Sequence, residues 1–126
     1  MNRNDMMIRC LINWMYLKQD NKGLIPYFRK HKCKKIAIYG ASDLGQLLYK
    51  ECSEVDDLSV TCFIDKNPNI IKADYDIPVI HPNEICDLQE VDMIVVTALF
   101  SYNDIMKSFL NKRVDVPVVS LMTIID

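Results

Sequence analysis

The feature that most constrains the fold is a short apolar run that ends at a glycine and leads directly into a helical pattern. The run occupies residues 36–39, the glycine is Gly40, and leucines at helical spacing follow from about Asp43 to Glu54. An almost continuous apolar run of this length is typical of a parallel strand that is buried on both faces of its sheet. The segment therefore predicts a strand, a tight turn and a helix, the opening unit of a parallel α/β sheet.

The same alternation continues along the chain. Further strands are predicted at residues 60–64, 78–80, 92–97 and 116–121, and helices at residues 82–87, 102–111 and 122–126. The polar connection between Asp65 and Pro78 is too short for a crossover helix of ordinary length. We therefore predict an α/β fold, an abbreviated Rossmann-like parallel sheet of about five strands in the order 3-2-1-4-5 with right-handed crossovers.

A helical segment precedes the sheet. Residues 5–19 have an amphipathic pattern, and a second helix is predicted over residues 24–31. The apolar stripe of the first helix consists of four residues at i, i+3, i+4 and i+7, namely Ile8, Leu11, Ile12 and Met15. Met7, Trp14 and Leu17 widen this stripe. We expect the stripe to pack on the rest of the chain as a helical cover, with a dimerisation or docking surface as the alternative.

The length of 126 residues is that of a single domain. We divide it into a helical N-terminal extension, residues 1–33, and a Rossmann-like nucleotide-binding domain, residues 34–126. A separate substrate domain, as in a two-domain dehydrogenase, does not fit this length. We therefore expect that the chain binds a ligand and that any chemistry is completed elsewhere.

The charge balance argues against a nucleic-acid partner. Lys and Arg number 15 against 17 for Asp and Glu, a formal net charge of −2, whereas nucleic-acid binders usually carry a basic excess. One basic cluster, residues 29–35, is interpreted as a solvated linker and helix end.

The cysteines and the apolar runs indicate a protein of the reducing cytoplasm. The five cysteines include no C-x-x-C pair and suit buried free thiols better than disulfides or a metal site. No apolar run approaches the roughly 18 residues of a membrane span, and the N-terminus lacks the features of a signal peptide. We therefore predict no metal, no membrane span and a cytoplasmic location.

The segment from Gly40 to Gly45 is the motif that carries chemistry. It lies between a buried strand and an amphipathic helix, the context in which a G-x-G-x-x-G pattern indicates a phosphate site. Gly40 allows the tight turn, Gly45 allows close helix packing, and the helix N-terminus offers free amides and a partial positive charge. Ser42 replaces the middle glycine, which narrows the space for a dinucleotide while adding a hydroxyl donor. Asp43 adds negative charge beside the proposed phosphate.

A second element of the site is Asp65, which ends the second strand 20 residues after Gly45 (65 − 45). A carboxylate there can accept hydrogen bonds from ribose hydroxyls. Thr97 and Ser101 follow the later central strand and can line the same crevice, although Ser101 suits a helix N-cap equally well. His81 has no paired acid or thiol and is interpreted as structural. The alternative for the whole motif is a scaffold that holds no ligand.

The candidate ligand-binding residues are eight in number: Gly40, Ala41, Ser42, Asp43, Leu44, Gly45, Asp65 and Thr97. No catalytic set accompanies them. Tyr102 and Lys107 are five residues apart and do not form a Tyr-x-x-x-Lys pair, and neither a G-x-S-x-G elbow nor a Gly-Lys-Ser/Thr phosphate loop occurs. The sequence therefore identifies no catalytic residue, and we expect that the chain is not an enzyme on its own.

Residues 34–121 resemble a known group of domains. The resemblance rests on the segments at residues 35–45, 62–67, 77–80 and 91–97. It is to the small Rossmann-like domains found with bacterial polysaccharide-synthesis proteins, including the N-terminal domains of sugar-nucleotide dehydratases and of sialic-acid or bacillosamine acetyltransferases, and glycosyltransferase-associated relatives. The chain departs from these relatives at Ser42 and at Asp76, where glycines are common.

The resemblance implies a sugar nucleotide, NAD(P) or a related nucleotide held by Gly40, Ser42, Gly45 and Asp65. It also implies a module of surface polysaccharide or capsule biosynthesis that is non-catalytic alone, because catalysis in the acetyltransferase relatives belongs to a β-helix domain. Two alternatives stay open: a small NAD- or sugar-nucleotide-dependent enzyme fragment, and a ligand-free interaction module. The partner predicted for the N-terminal helices is a second copy or a glycosyltransferase-type protein.

Overall fold

The computed structural model describes residues 2–20, 23–70, 75–87, 90–112 and 115–126, with residues 85–87 and 110–112 described by their backbone alone. The described residues form one sheet of five parallel strands: β1 (Lys35–Tyr39), β2 (Ser59–Ile64), β3 (Val79–Ile80), β4 (Met93–Val96) and β5 (Val118–Ser120). Their order is β3-β2-β1-β4-β5. The predicted α/β class and strand order are confirmed.

The helices are α1 (Arg3–Gln19), α2 (Ile25–Lys30), α3 (Asp43–Cys52), α4 (Tyr102–Lys112) and α5 (Leu121–Ile125). Two short 3-10 helices, Pro82–Asp87 and Leu99–Ser101, precede β4 and α4. α3 ends two residues earlier than predicted, where the Ser53 hydroxyl donates to the Tyr49 carbonyl oxygen. Along the part of the chain that the structure describes, no helix has both the length and the apolarity needed to cross a bilayer.

The sheet is covered on both faces, as the apolar strands require. One face packs against α1, α2, α3 and α5 around the fully buried Phe28, Leu48 and Phe63. The other packs against α4 through Ile105 and Phe109. Packing of the helices removes the apolar side chains of the strands from water on both faces, and this burial of apolar area stabilises the fold.

α1 presents the face opposite to the one that we expected. Cys10 and Trp14 are buried, with Met7 and Leu17 partly buried against the same core. The predicted stripe is exposed to solvent, with exposed fractions of 55% for Ile8, 38% for Leu11, 49% for Ile12 and 63% for Met15. The prediction is therefore wrong for these four residues, whereas Met7, Trp14 and Leu17, which were expected to widen the stripe, pack on the core. α1 is apolar on both sides, so the spacing of its apolar residues could not select the buried one.

One buried carboxylate, Glu51 of α3, connects the N-terminal helices to the rest of the chain. Its Oε1 accepts from Trp14 Nε1 at 3.0 Å, and its Oε2 accepts from the Leu24 amide. Lys18 Nζ lies 3.5 Å from Oε1. Residues of α1 and α2 share one hydrophobic core with the sheet, and a boundary at residue 33 stays a prediction.

The cysteines with described side chains, Cys10, Cys33, Cys52 and Cys62, are free and buried. Burial raises the pKa of Cys10 to about 11, with a smaller contribution from Asp126, and raises the pKa of Cys52 to about 12. These thiols therefore stay protonated near neutral pH and pack as small apolar groups. The predicted burial of Cys86 lies outside the described side chains.

Candidate functional site

The turn after β1 is built on Gly40, whose φ of +111° suits glycine rather than a residue with a side chain. Its amide donates to the Ile64 carbonyl oxygen at 2.9 Å, which ties the turn to the end of β2. A Cβ at Gly40 would stand 2.6 Å from Thr97 Oγ1. Conformation and space therefore both favour glycine here.

Gly45 allows α3 to approach the turn closely. A Cβ at this position would lie 1.9 Å from the Gly40 carbonyl oxygen, far inside van der Waals contact. The helix therefore begins directly over the end of β1, and its N-terminus is held at the carboxyl edge of the sheet.

Thr97, which follows β4, holds the turn through its side-chain hydroxyl. Its hydroxyl lies 2.8 Å from the Gly40 carbonyl oxygen and 3.2 Å from the Tyr39 carbonyl oxygen, and the side chain is buried. We expected this hydroxyl to line a ligand crevice. Thr97 does line a cavity beside the turn. Within the described chain its hydroxyl also has these two acceptors, so it holds β1, the turn and β4 together.

Asp65 contacts the turn from the other side. Its Oδ2 accepts from the Ala41 amide and its Oδ1 accepts from the Asn67 amide, each at 2.9 Å. The structure thus brings together the two sequence elements of the predicted site. An ionised carboxylate has about four acceptor positions, so two protein amides leave capacity for ribose hydroxyls on this half-buried side chain.

The N-terminus of α3 differs from those of α1 and α5. Asn2 Oδ1 accepts from the Asp5 amide in α1, and Ser120 Oγ accepts from the Met122 amide in α5. Ser42 stands at the same position before α3, is exposed, and makes no capping hydrogen bond within the described chain. Among the described residues, no side chain accepts from the first-turn amides of Asp43, Leu44 and Gly45, and these amides carry the positive end of the helix dipole.

A crevice of about 540 Å³ opens at the carboxyl edge beside this turn. Its polar lining includes Tyr39, Asp65, Lys66, His81 and Asp104. It lies where β1 separates β2 from β4, the place at which open parallel sheets bind ligands. A smaller cavity of about 230 Å³ lies on the α1 side of the turn, and Arg3 and Ser42 line it. Ser101 lines both cavities.

Two aromatic side chains of the crevice, His81 and Tyr39, each offer a hydrogen-bond donor. His81 Nδ1 accepts from the Asn83 amide at 3.1 Å, so the neutral ring carries its proton on Nε2. Burial, and then the negative charge of Asp65, raise the pKa of Tyr39. Tyr39 therefore stays a protonated donor through the neutral pH range. These groups can bind and orient a polar ligand.

Sequence reasoning missed Gln46, which belongs to the support of the turn. Its Nε2 donates to the Ala41 carbonyl oxygen at 2.9 Å, and its Oε1 accepts from the Tyr75 hydroxyl at 3.1 Å. Arg3 and Lys66 were missed as cations near the site, since sequence reasoning assigned neither of them to the phosphate turn. Among the described residues, no group of three His, Cys, Asp or Glu side chains is arranged to hold a metal ion.

The fold and the turn define a class of protein: an open parallel α/β domain of Rossmann-like topology, with a glycine turn at the switch point of its sheet. Residues 32–118 match the family model described as C2185-like, N-terminal, and the chain belongs to this family.

A solved structure has the same fold. The crystal structure of UDP-D-quinovosamine 4-dehydrogenase from Vibrio fischeri aligns with a TM-score of 0.57 and 20% sequence identity, over 69% of this chain and 76% of that one. At this identity the likeness shows a shared Rossmann-like fold. No curated protein matches the chain.

Proposed function

We propose that the chain is a nucleotide-binding module whose ligand lies along the carboxyl edge of the sheet. The observation that carries the proposal is the pairing, across one glycine turn, of an uncapped helix N-terminus with a half-buried carboxylate. Helix amides bind phosphate oxygens, and a carboxylate at this place accepts from ribose hydroxyls. A nucleotide carries both a phosphate for the helix amides and ribose hydroxyls for the carboxylate.

The ligand class that we propose is a sugar nucleotide or a dinucleotide. A crevice of about 540 Å³ lies within the usual range of small-molecule pockets. The solved structure with the same fold is a UDP-sugar dehydrogenase. With the sequence resemblance, these observations support a role in surface polysaccharide or glycan biosynthesis in the cytoplasm, in which the module binds and does not catalyse by itself.

The charges around the turn support a phosphate that is only partly neutralised. Arg3 lies on the α1 side and Lys66 on the crevice side, while Asp43 in the first turn of α3 and Asp104 in the crevice contribute negative charge. The partial positive charge of the α3 N-terminus is therefore an important attraction for the phosphate. Such a balance favours moderate affinity over tight binding.

Replacement of Asp65 by asparagine is expected to weaken nucleotide binding about tenfold, or 1.4 kcal/mol. An amide oxygen can still accept from the Ala41 amide, so the turn is retained while the charged acceptor for ribose is lost. Calorimetric titration with a UDP-sugar and with NAD measures the dissociation constants. The matched control is Asp56→Asn, an exposed carboxylate before β2 at the opposite edge of the sheet. Equal affinity in both variants and the unaltered chain would place the ligand elsewhere.

A substitution pair at Asp43 tests the helix amides directly. Asp43→Ala removes a negative charge near the phosphate and is expected to strengthen binding. Asp43→Pro removes the same charge together with one amide donor, and proline is tolerated at the first position of a helix. The extended backbone of Ser42, with ψ of −158°, is compatible with a following proline. We expect Asp43→Pro to bind about tenfold more weakly than Asp43→Ala in the same titration; equal affinities would exclude this amide as a phosphate donor.

A further inference from the structure

We propose that the exposed apolar stripe of α1 is an antiparallel, twofold-symmetric interface with a second copy of this chain. The proposal does not depend on nucleotide binding. The stripe is Ile8, Leu11, Ile12 and Met15, each between 38% and 63% exposed. A helix that is apolar on both sides is usually covered on both sides, and within the described chain the neighbouring helices cover the side that carries Cys10 and Trp14.

The surface around the stripe has the shape of a helix-packing site. A groove of about 370 Å³ runs between α1 and α3 and includes Met15 and the exposed Leu47. The apolar side chains of α1 form a ridge beside this groove, and the ridge of a second copy can pack into the groove. On the other flank of the stripe lie Asp5 and Arg9, which belong to the same helix. The apolar patch therefore continues from α1 onto α3.

The order of residues along the stripe identifies a second copy as the occupant. Four pairs of residues along the stripe, whose numbers in each pair add up to 23, have matching chemistry. Amide pairs with amide, acid with base and apolar with apolar: Asn4 with Gln19, Asp5 with Lys18, Ile8 with Met15, and Leu11 with Ile12. A twofold axis between residues 11 and 12 brings each pair together across an isologous interface.

Charge selects the antiparallel arrangement over the parallel one. A parallel pair of helices would place Asp5 against Asp5 of the second copy and align the two helix dipoles. The antiparallel pair places Asp5 against Lys18 of the second copy and opposes the dipoles. Within its own chain Lys18 also contacts Glu54 at 3.2 Å, so this lysine would be shared between two carboxylates. The charges therefore set orientation, and the apolar stripe supplies most of the affinity.

Disulfide trapping tests the proposal in a Cys86→Ser background, because the other cysteines are buried. Ile8→Cys and Met15→Cys proteins are oxidised separately and as a mixture. In the antiparallel interface, position 8 of one copy faces position 15 of the other. We expect a covalent dimer from the mixture and little from either protein alone. Equal cross-linking of the separate proteins, or none in the mixture, would overturn the arrangement.

Association without cross-linking is measured by light scattering and sedimentation of the unaltered chain. A dimer is expected at about 100 µM, and Ile12→Asp is expected to weaken it at least tenfold, since it places a charge at the centre of the interface. The matched control is Thr123→Asp, an exposed substitution on α5. A monomer at this concentration, including one that binds only a different protein, would overturn the proposal.

Discussion

Gly45→Ala is expected to lower the free energy of unfolding by about 3 kcal/mol or more, although alanine favours helices over glycine by about 1 kcal/mol. A Cβ at Gly45 would stand 1.9 Å from the Gly40 carbonyl oxygen. That oxygen belongs to the backbone and accepts from Thr97 Oγ1. Relief of the clash therefore requires α3 to move away from β1, which disrupts both the core contacts and the turn.

Urea unfolding followed by circular dichroism measures this loss. Lys50→Ala is the matched control, since it places alanine at an exposed position of the same helix and is expected to change stability by less than about 0.5 kcal/mol. If Gly45→Ala matched the unaltered chain in midpoint and slope, close packing of α3 on the turn would not limit the choice of residue there. If the helix amides bind phosphate as proposed, a folded but weakened variant also loses nucleotide affinity, because the helix N-terminus would be displaced.

The arrangement of the sheet was predictable because the central strands are apolar at nearly every position. β1 and β4 bury both faces, so their runs needed no periodicity to be recognised. The order of the strands then followed from general rules of parallel sheets. The ends of the strands were less predictable. β4 was expected over residues 92–97 but is Met93–Val96. The side chains of Asp92 and Thr97 instead form hydrogen bonds with the backbone of Lys34 and Gly40.

The buried face of α1 was not predictable from spacing alone. Both Ile8, Leu11, Ile12 and Met15 on one side and Met7, Cys10, Trp14 and Leu17 on the other follow helical periodicity. What separates them is Trp14, whose indole N–H requires an acceptor when buried. The acceptor, Glu51, lies 37 residues away. No local pattern of charge or hydrophobicity marks such a long-range pair.

The candidate site shows the same division. Gly40, Gly45 and Asp65 were identifiable because backbone geometry and strand ends impose fixed spacings on them. The contacts that hold the turn, from Thr97 and Gln46, depend on side chains that meet only after the sheet has formed. The sequence therefore indicated the glycine turn and its carboxylate, while the tertiary structure was needed to show which side chains support the turn.

Glu51→Ala is expected to cost about 3 to 4 kcal/mol of unfolding free energy. The carboxylate is only 5% exposed, and its removal leaves the Trp14 indole N–H and the Leu24 amide without their acceptor in a buried place. Each stranded donor costs about 1–3 kcal/mol. Glu51→Gln, which keeps one acceptor oxygen, is expected to lose less. The substitution is expected to weaken the packing of α1 and α2 on the rest of the chain and to lower the global free energy of unfolding.

Glu54→Ala provides a matched control, because Glu54 contacts the same Lys18 from an exposed position. Surface ion pairs contribute about 0–1 kcal/mol, so the two alanine variants should differ several-fold in destabilisation. Trp14 is the single tryptophan of the chain, so its fluorescence reports α1 while circular dichroism reports the whole fold. In Glu51→Ala we expect the fluorescence transition to precede the circular dichroism transition as urea increases, because α1 loses its buried anchor before the sheet unfolds. Equal losses in the two alanine variants, with coincident transitions, would show that the apolar contacts of Cys10 and Trp14 alone hold α1 in place.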